Sequence, residues 1–310
     1  MNRLRVTTAL VAAIGVLVLA TTASAQSVEG QLSAYTGANA REYLRPLHEA
    51  IGVTLNNGFF YTAQIPDKFK FALEIPVMGV IFDDADRVFA ATTEAPFLPE
   101  KTTTKAPTIV GSGDAVSVTG QGSTTFSFPG GFNLNSFGLL VPQARISARG
   151  TEALVRLLVG VDTGDAELGK LDLWGVGARH DVSQYFGELP INLAASFFYQ
   201  SLSLGENTAG NDLLSVSAYS AGLHASAGLP VGFARFEPYA GVAYNSFNTD
   251  IEYESSTGSE VLSVDFEQES NMHFTIGAGV NLVALQLFGQ FDFGLRDSFL
   301  FGVALGNVGL

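Results

Sequence analysis

His224-Ala225-Ser226 places an imidazole and a hydroxyl two residues apart. Positions i and i+2 of a strand point the same way, so the pair could act as general base and nucleophile on one wall. A working hydrolase also needs a group that orients the imidazole and donors for an oxyanion. No spacing in the sequence supplies them. The pair therefore reads as two small polar inward-facing residues, no catalytic residue is assigned, and the chain is not expected to be an enzyme. Metal chemistry has less support still. His48, His180, His224 and His273 lie on separate segments, with no His-x-x-x-His or carboxylate–histidine cluster. His180 and Asp181 are adjacent and would project to opposite faces of a strand. The acidic "DTGDAE" (162–167) lacks the spacing of a calcium loop. The glycine-rich "GSGDAVSVTGQG" (111–122) follows no strand-to-helix unit, which argues against a nucleotide site. Neither a metal nor an organic cofactor is expected.

More informative are eight charged residues that strand periodicity turns to one side: Lys68, Lys70, Glu74, Arg145, Arg149, Arg156, Arg179 and Asp292. Charges of both signs facing an enclosed space mean one of two things. Either they line a hydrated channel, where clustered arginines favour anions, or they brace a closed barrel through internal ion pairs. Side chains fill a narrow barrel, so bracing is favoured over conduction.

The elements that must position these residues are strands. From about 139 onward the chain alternates apolar and polar residues with period two, segment after segment. "TEALVRLLVGV" (151–161) sets Val155, Leu157, Val159 and Val161 against Arg156 and Gly160. The closing stretch 285–306 sets Leu285, Leu287, Phe291 and Phe293 against Gln286, Gln290 and Asp292, with Phe288 the exception. Connectors alternate too: Gly150, 186–190 and Val283-Ala284 are brief, whereas 162–170, 205–212 and 254–260 are longer and acidic. Short turns at one end and long loops at the other mark a transmembrane barrel of the outer-membrane type, not a soluble sandwich. The apolar faces would then meet lipid, and the last strand would pair with the first to remove the open edge.

Upstream, 52–64 and 67–82 are expected to be strands, and the Thr-, Gly-, Ser- and Pro-rich 83–138 an extracellular excursion folding partly over or into the barrel. Residues 39–52 form the one helical candidate, with Asn39 as cap to Glu42, Tyr43, Leu44 and Leu47 on one face, and Gly52 as its end. Pro46 would kink it or confine it to short turns. These assignments divide the chain into a signal peptide (1–25), an N-terminal segment whose helix lies in or near the lumen as a plug (26–51), and an antiparallel transmembrane β-barrel (52–310). Single-chain bacterial barrels favour an even strand count. Eleven segments are legible, which predicts about twelve strands, within ten to fourteen.

Composition agrees. "MNRLR", twelve apolar residues and "ASA" before Gln26 make a secretory signal, and no later run is long enough for a spanning helix. Without Arg3 and Arg5 the 16 basic residues fall to 14 against 30 acidic, a net charge of −16. Such a surface disfavours nucleic acid. The absence of cysteine excludes disulfides, thiolate chemistry and a lipid-modified cysteine.

"WGVGARHDVSQYF" (174–186), "LPINLAASFFYQ" (189–200) and "YSAGLHASAGLPVGFARFEPYAGVAYNS" (219–246) resemble a family of bacterial outer-membrane barrels, the domain of unknown function numbered 6588. "IPDKFKFALEIPVMGVIFDD" (65–84) and "PTIVGSG" (107–113) resemble its N-terminal half. The layout is also loosely similar to outer-membrane transporters of long-chain fatty acids and hydrocarbons, which carry an N-terminal hatch inside the barrel. The spacing of His224 and Ser226 resembles the outer-membrane phospholipase. These likenesses imply location in the outer membrane of a Gram-negative-type bacterium. The expected partners are its lipids and lipopolysaccharide, the barrel-assembly machinery and a small hydrophobic ligand. The leading expectation is transport of small apolar or amphiphilic molecules. A closed structural or surface-interaction barrel is the alternative, and a barrel-wall hydrolase is third.

Overall fold

The computed structural model describes Tyr35 and residues 37–95, 97–163, 169–205, 212–254, 261–266 and 268–306. The signal peptide and most of the acidic connectors named above lie outside these residues.

Ten antiparallel strands close into a barrel. In chain order they are β1 (Lys70–Ile81), a wall strand in two parts, β6 (Ser136–Leu140) and β7 (Gln143–Ala148), then β8 (Thr151–Asp162), β9 (Lys170–Asp181), β10 (Asn192–Leu204), β11 (Leu214–Ser226), β13 (Ala234–Glu254), β15 (Glu269–Leu282), β16 (Leu285–Phe293) and β17 (Ser298–Gly306). Each pairs with its neighbour in the chain, and β1 pairs with β17 from Ala72↔Gly306 to Val80↔Ser298. Pro142 lacks the N–H that a ladder needs, and the break between β6 and β7 falls there. Short strands β12 (Leu229–Val231) and β14 (Val261–Asp265) extend the two ends of β13.

Period two decides which side faces out. Along β1, Phe71, Leu73, Ile75 and Val77 are exposed while Ala72, Glu74, Pro76 and Met78 are buried. On the last two strands Leu287, Phe291, Phe301 and Leu305 are outward, and Gln286, Gln290, Asp292 and Ser298 inward. An apolar outer wall around a polar interior is the arrangement a lipid solvent selects.

The wall has ten strands, inside the range of ten to fourteen but short of twelve. Of the eleven legible segments, 52–64 is not a wall strand, and no further strand joins the wall among the described residues. Helix α1 (Gly37–Leu55) runs three residues past Gly52 and straight through Pro46. Residues 56–69 follow without regular structure before β1 begins at Lys70. This stretch is buried from Asn56 to Ala63 and contacts inward-facing residues of nearly every wall strand. Asn39 does not cap α1 but lies inside it. Its side chain accepts from the Thr92 N–H and donates to the Thr92 carbonyl.

Between β1 and β6 the chain forms two hairpins, β2 (Val88–Thr92) with β3 (Thr103–Pro107) and β4 (Val116–Thr119) with β5 (Thr125–Phe128). They fold over the first half of α1. Tyr35, Tyr43, Leu44, Phe89, Phe128 and Phe266 form an apolar core at this long-connection end. A second core fills the lumen around Ile51, Leu55, Phe60, Tyr61, Met78, Phe247 and Phe288.

Candidate functional site

Backbone carbonyls of an irregular buried segment need donors, and here the wall supplies them from side chains. The Arg156 guanidinium donates to the carbonyls of Leu55 (3.2 Å) and Asn57 (2.6 Å). Gln143 reaches the Gly58 carbonyl at 3.1 Å, Arg145 that of Phe59 at 2.9 Å, and Arg179 that of Thr62 at 2.5 Å. Gln200 adds a second donor to Leu55. Five side chains from four adjacent wall strands thus hold five carbonyls within eight residues of the plug segment.

Their charge is largely balanced in place. Glu74 is paired with Arg145, and Glu152 bridges Arg145 at 2.6 Å and Arg179 at 2.7 Å. The Tyr61 hydroxyl donates to Glu74 at 2.6 Å. Arg156 is held by neutral acceptors, Gln143 at 2.7 Å and Gln200 at 3.0 Å, and its guanidinium lies 4.2 Å over the Phe59 ring. Three arginines and two carboxylates therefore line this half of the lumen.

The opposite half is acidic and neutral-polar. Glu237 accepts from Ser226 at 2.8 Å, from Asn281 at 3.3 Å and from Thr62. Asp292 accepts from Asn57 at 2.6 Å, Gln290 at 2.9 Å and Thr275. Three successive plug aromatics touch three different parts of the wall. Phe59 stacks on Phe198 at 4.0 Å, Phe60 lies tilted against His224 at 3.6 Å, and Tyr61 stacks on Phe288 at 4.3 Å. The last contact explains why Phe288 breaks the alternation of its strand.

At the long-connection end Arg296, in the β16–β17 turn, joins Glu49 of α1 and Asp86 of the β1–β2 loop, each at 2.7 Å. Burial pushes the Asp86 carboxyl up, but the Arg296 hydrogen bond and charge outweigh it and hold the group below the ordinary carboxylate range. Burial likewise lowers Arg296, and its two carboxylate partners raise it overall. This ion triad ties plug, wall and loop together.

Of the sequence candidates, Glu74, Arg145, Arg156, Arg179 and Asp292 are buried in the lumen, and Lys70 is half-buried. Two are not inside. Lys68 is exposed ahead of β1, and Arg149 is exposed in the tight β7–β8 turn, where its φ of 53° ends the strand alternation. Tyr43 and Leu44 belong to the core beneath the hairpins, and Leu47 packs against both cores. His224 and Ser226 are both buried but serve different partners: His224 meets Ser196 at 2.7 Å, and Ser226 meets Glu237. The buried Nδ1 of His224 has no hydrogen-bond partner, so no carboxylate orients the ring. Sequence reasoning missed Glu152, Gln143, Gln200 and Glu237. The signal for Glu152 was present, because it shares the parity of Arg156 on β8.

No functionally curated protein matches the chain. Among solved structures it is similar to the β-domain of the Bordetella autotransporter BrkA, at 10% identity and TM-score 0.37, covering 77% of this chain and 99% of that one. It is similar to the attachment invasion locus protein Ail of Yersinia pestis at 7% identity and TM-score 0.28, with 77% and 99% coverage. A Pseudomonas aeruginosa FadL homologue follows at 9% identity and TM-score 0.27, with 89% and 95% coverage. Residues 1–307 match the model of a family of unknown function, DUF6588, and the chain belongs to that family.

Proposed function

We propose that the protein spans the bacterial outer membrane as a barrel sealed by its own N-terminal segment, with the long-connection end outside the cell. It acts as a closed surface or structural barrel and is non-conducting at rest. The observation that carries this reading is the hold on residues 55–62. Charge-assisted hydrogen bonds from Arg145, Arg156 and Arg179 to backbone carbonyls are stronger than neutral ones and tether that stretch to the lumen wall. The apolar outer face and the N-terminal signal pattern support the location. Such barrels carry long outer and short periplasmic connections, which supports the orientation.

A second reading, gated passage of small apolar or amphiphilic molecules, is favoured by one feature. Residues 56–69 have no sheet partner and are held mainly by side chains, so the segment could leave without dismantling the wall. Planar-bilayer recordings separate the two. The sealed barrel gives a silent bilayer over a wide voltage range. Resolved steady conductance steps from the wild-type chain would overturn it. Uptake of a small apolar solute into proteoliposomes, absent from protein-free vesicles, would favour the gated reading.

A further inference from the structure

Beneath the β16–β17 turn lies a cavity of about 10 Å³, room for one water or one bare ion. Four strands that are consecutive neighbours in the sheet contribute to its lining: Asn245 of β13, Asn271 of β15, Asp292 of β16 and Ser298 of β17. The register pairs Asn245 with Asn271 and Asp292 with Ser298. Asn56 closes it from the plug. Asn56 is 1% exposed and Asn245 5%. The Oδ1 atoms of both are buried with no hydrogen-bond partner. A buried acceptor left without a donor costs about 1–3 kcal/mol, so two around one cavity point to something held between them.

Charge indicates what that is. Asp292 is 3% exposed, and its close donors are the neutral Asn57, Gln290 and Thr275. Among the described residues its near basic neighbour is the His273 imidazole, 3.3 Å away. Arg296 at the mouth is already engaged by Glu49 and Asp86. The lumen arginines stand on the other wall around Glu74 and Glu152. A buried carboxylate beside two unpartnered amide oxygens and a serine hydroxyl is a hard-oxygen donor set short of one positive charge.

We propose that this cavity binds one small hard cation, of the size that Na+ and Ca2+ share, through Asp292 and the amide oxygens of Asn56 and Asn245. The ion bridges plug and wall, because Asn56 belongs to the first and the other two to the second. Asn271 completes the set by turning its amide. Its Nδ2 is unpartnered as placed, and an amide rotation exchanges that donor for an oxygen. No cluster of three or more His, Cys, Asp or Glu suited to a metal exists among the described residues, and the site is built mainly on amides instead.

The site does not depend on whether the barrel conducts, and its test does not use conductance. The purified full chain in detergent is dialysed to equilibrium against radioactive Na+ or Ca2+, with choline chloride holding ionic strength constant. The thermal midpoint is followed by the loss of heat-modifiable migration. About one ion per chain is expected to bind. The midpoint should rise by roughly 2–4 °C per tenfold increase in free cation above its dissociation constant. K+ should give a smaller rise. Whichever of Na+ and Ca2+ gives the larger rise identifies the ion. Asp292→Asn and Asn245→Leu should abolish both effects. Should either fail to fold, Asn271→Ala at its half-buried position should weaken them instead. No binding of either ion by the wild type, with an unchanged midpoint, leaves a buried water as the occupant and overturns the proposal. Binding that survives undiminished in the folded variants places the ion elsewhere and also overturns it.

Discussion

At the scale of single residues, what a lumen side chain touches matters more than its own charge. Arg145 and Arg156 look alike in the sequence, both inward-facing arginines on neighbouring strands. Removing Arg145 leaves Glu74 without its ion-pair partner and removes one of two from Glu152, so Arg145→Met should destabilise by about 3–5 kcal/mol. Arg156 contacts carbonyls, amides and a ring, so Arg156→Met exposes no stranded carboxylate. It should cost about 1–3 kcal/mol from unpaired acceptors. Urea unfolding in detergent, read by tryptophan fluorescence from Trp174, measures both. Equal losses would mean that the guanidinium–carboxylate pairing is not what distinguishes the two sites. The charges at Glu74, Arg145, Arg156, Arg179 and Asp292 were legible because period two fixes a side once one face is apolar. Arg149 and Lys68 have the same parity but lie where the strand has ended, and parity carries no information outside a strand.

Elements explain what the sequence concealed. The wall strands from β7 onward were legible because a strand between lipid and a polar lumen must alternate. The stretch 52–64 has the composition of another such strand and is instead the end of α1 and the plug. Its residues meet protein on all sides, so Phe59, Phe60 and Tyr61 are all buried in succession, which period two cannot express. A glycine commonly ends a helix, yet Gly52 sits inside this one where β13 approaches. A Cβ there would meet the Phe247 ring at 2.3 Å. Gly52→Ala should gain about 1 kcal/mol of helix propensity and lose about 1–3 kcal/mol to overpacking. The expected result is an intact barrel with a loosened plug. Limited proteolysis of the folded variant should cut within 37–69 faster than in the wild type while heat-modifiable migration is retained. Unchanged cleavage would show that Phe247 yields without displacing the helix. Glycine abundance has a related origin on the wall, where Gly177, Gly277 and Gly302 lie directly opposite the inward rings of Phe198, Tyr239 and Phe288.

For the molecule as a whole, the question is which end faces which compartment. Three facts depend on one another. With an even wall of ten strands, β1 starts and β17 ends on the same side, the side of the Arg149-Gly150 and Val283-Ala284 turns. The plug enters from the opposite side, beneath the hairpins β2–β3 and β4–β5. It leaves at the short-turn end, where Asp67 and Pro66 accept the N–H groups of Arg149 and Gly150. The segment therefore traverses the barrel once, and its direction is fixed by whichever end faces the cell exterior. Because the chain has no cysteine, a single introduced thiol reports orientation without background. Glu100→Cys stands on the exposed connection between β2 and β3, and Phe233→Cys replaces a side chain 90% exposed in the β12–β13 turn. Intact cells treated with a membrane-impermeant maleimide should label the first and not the second. Cells with a permeabilised outer membrane should label both. The reverse pattern would put the short turns outside and would have the plug inserted from the periplasm, with the hairpins then guarding its entry rather than covering it from solvent.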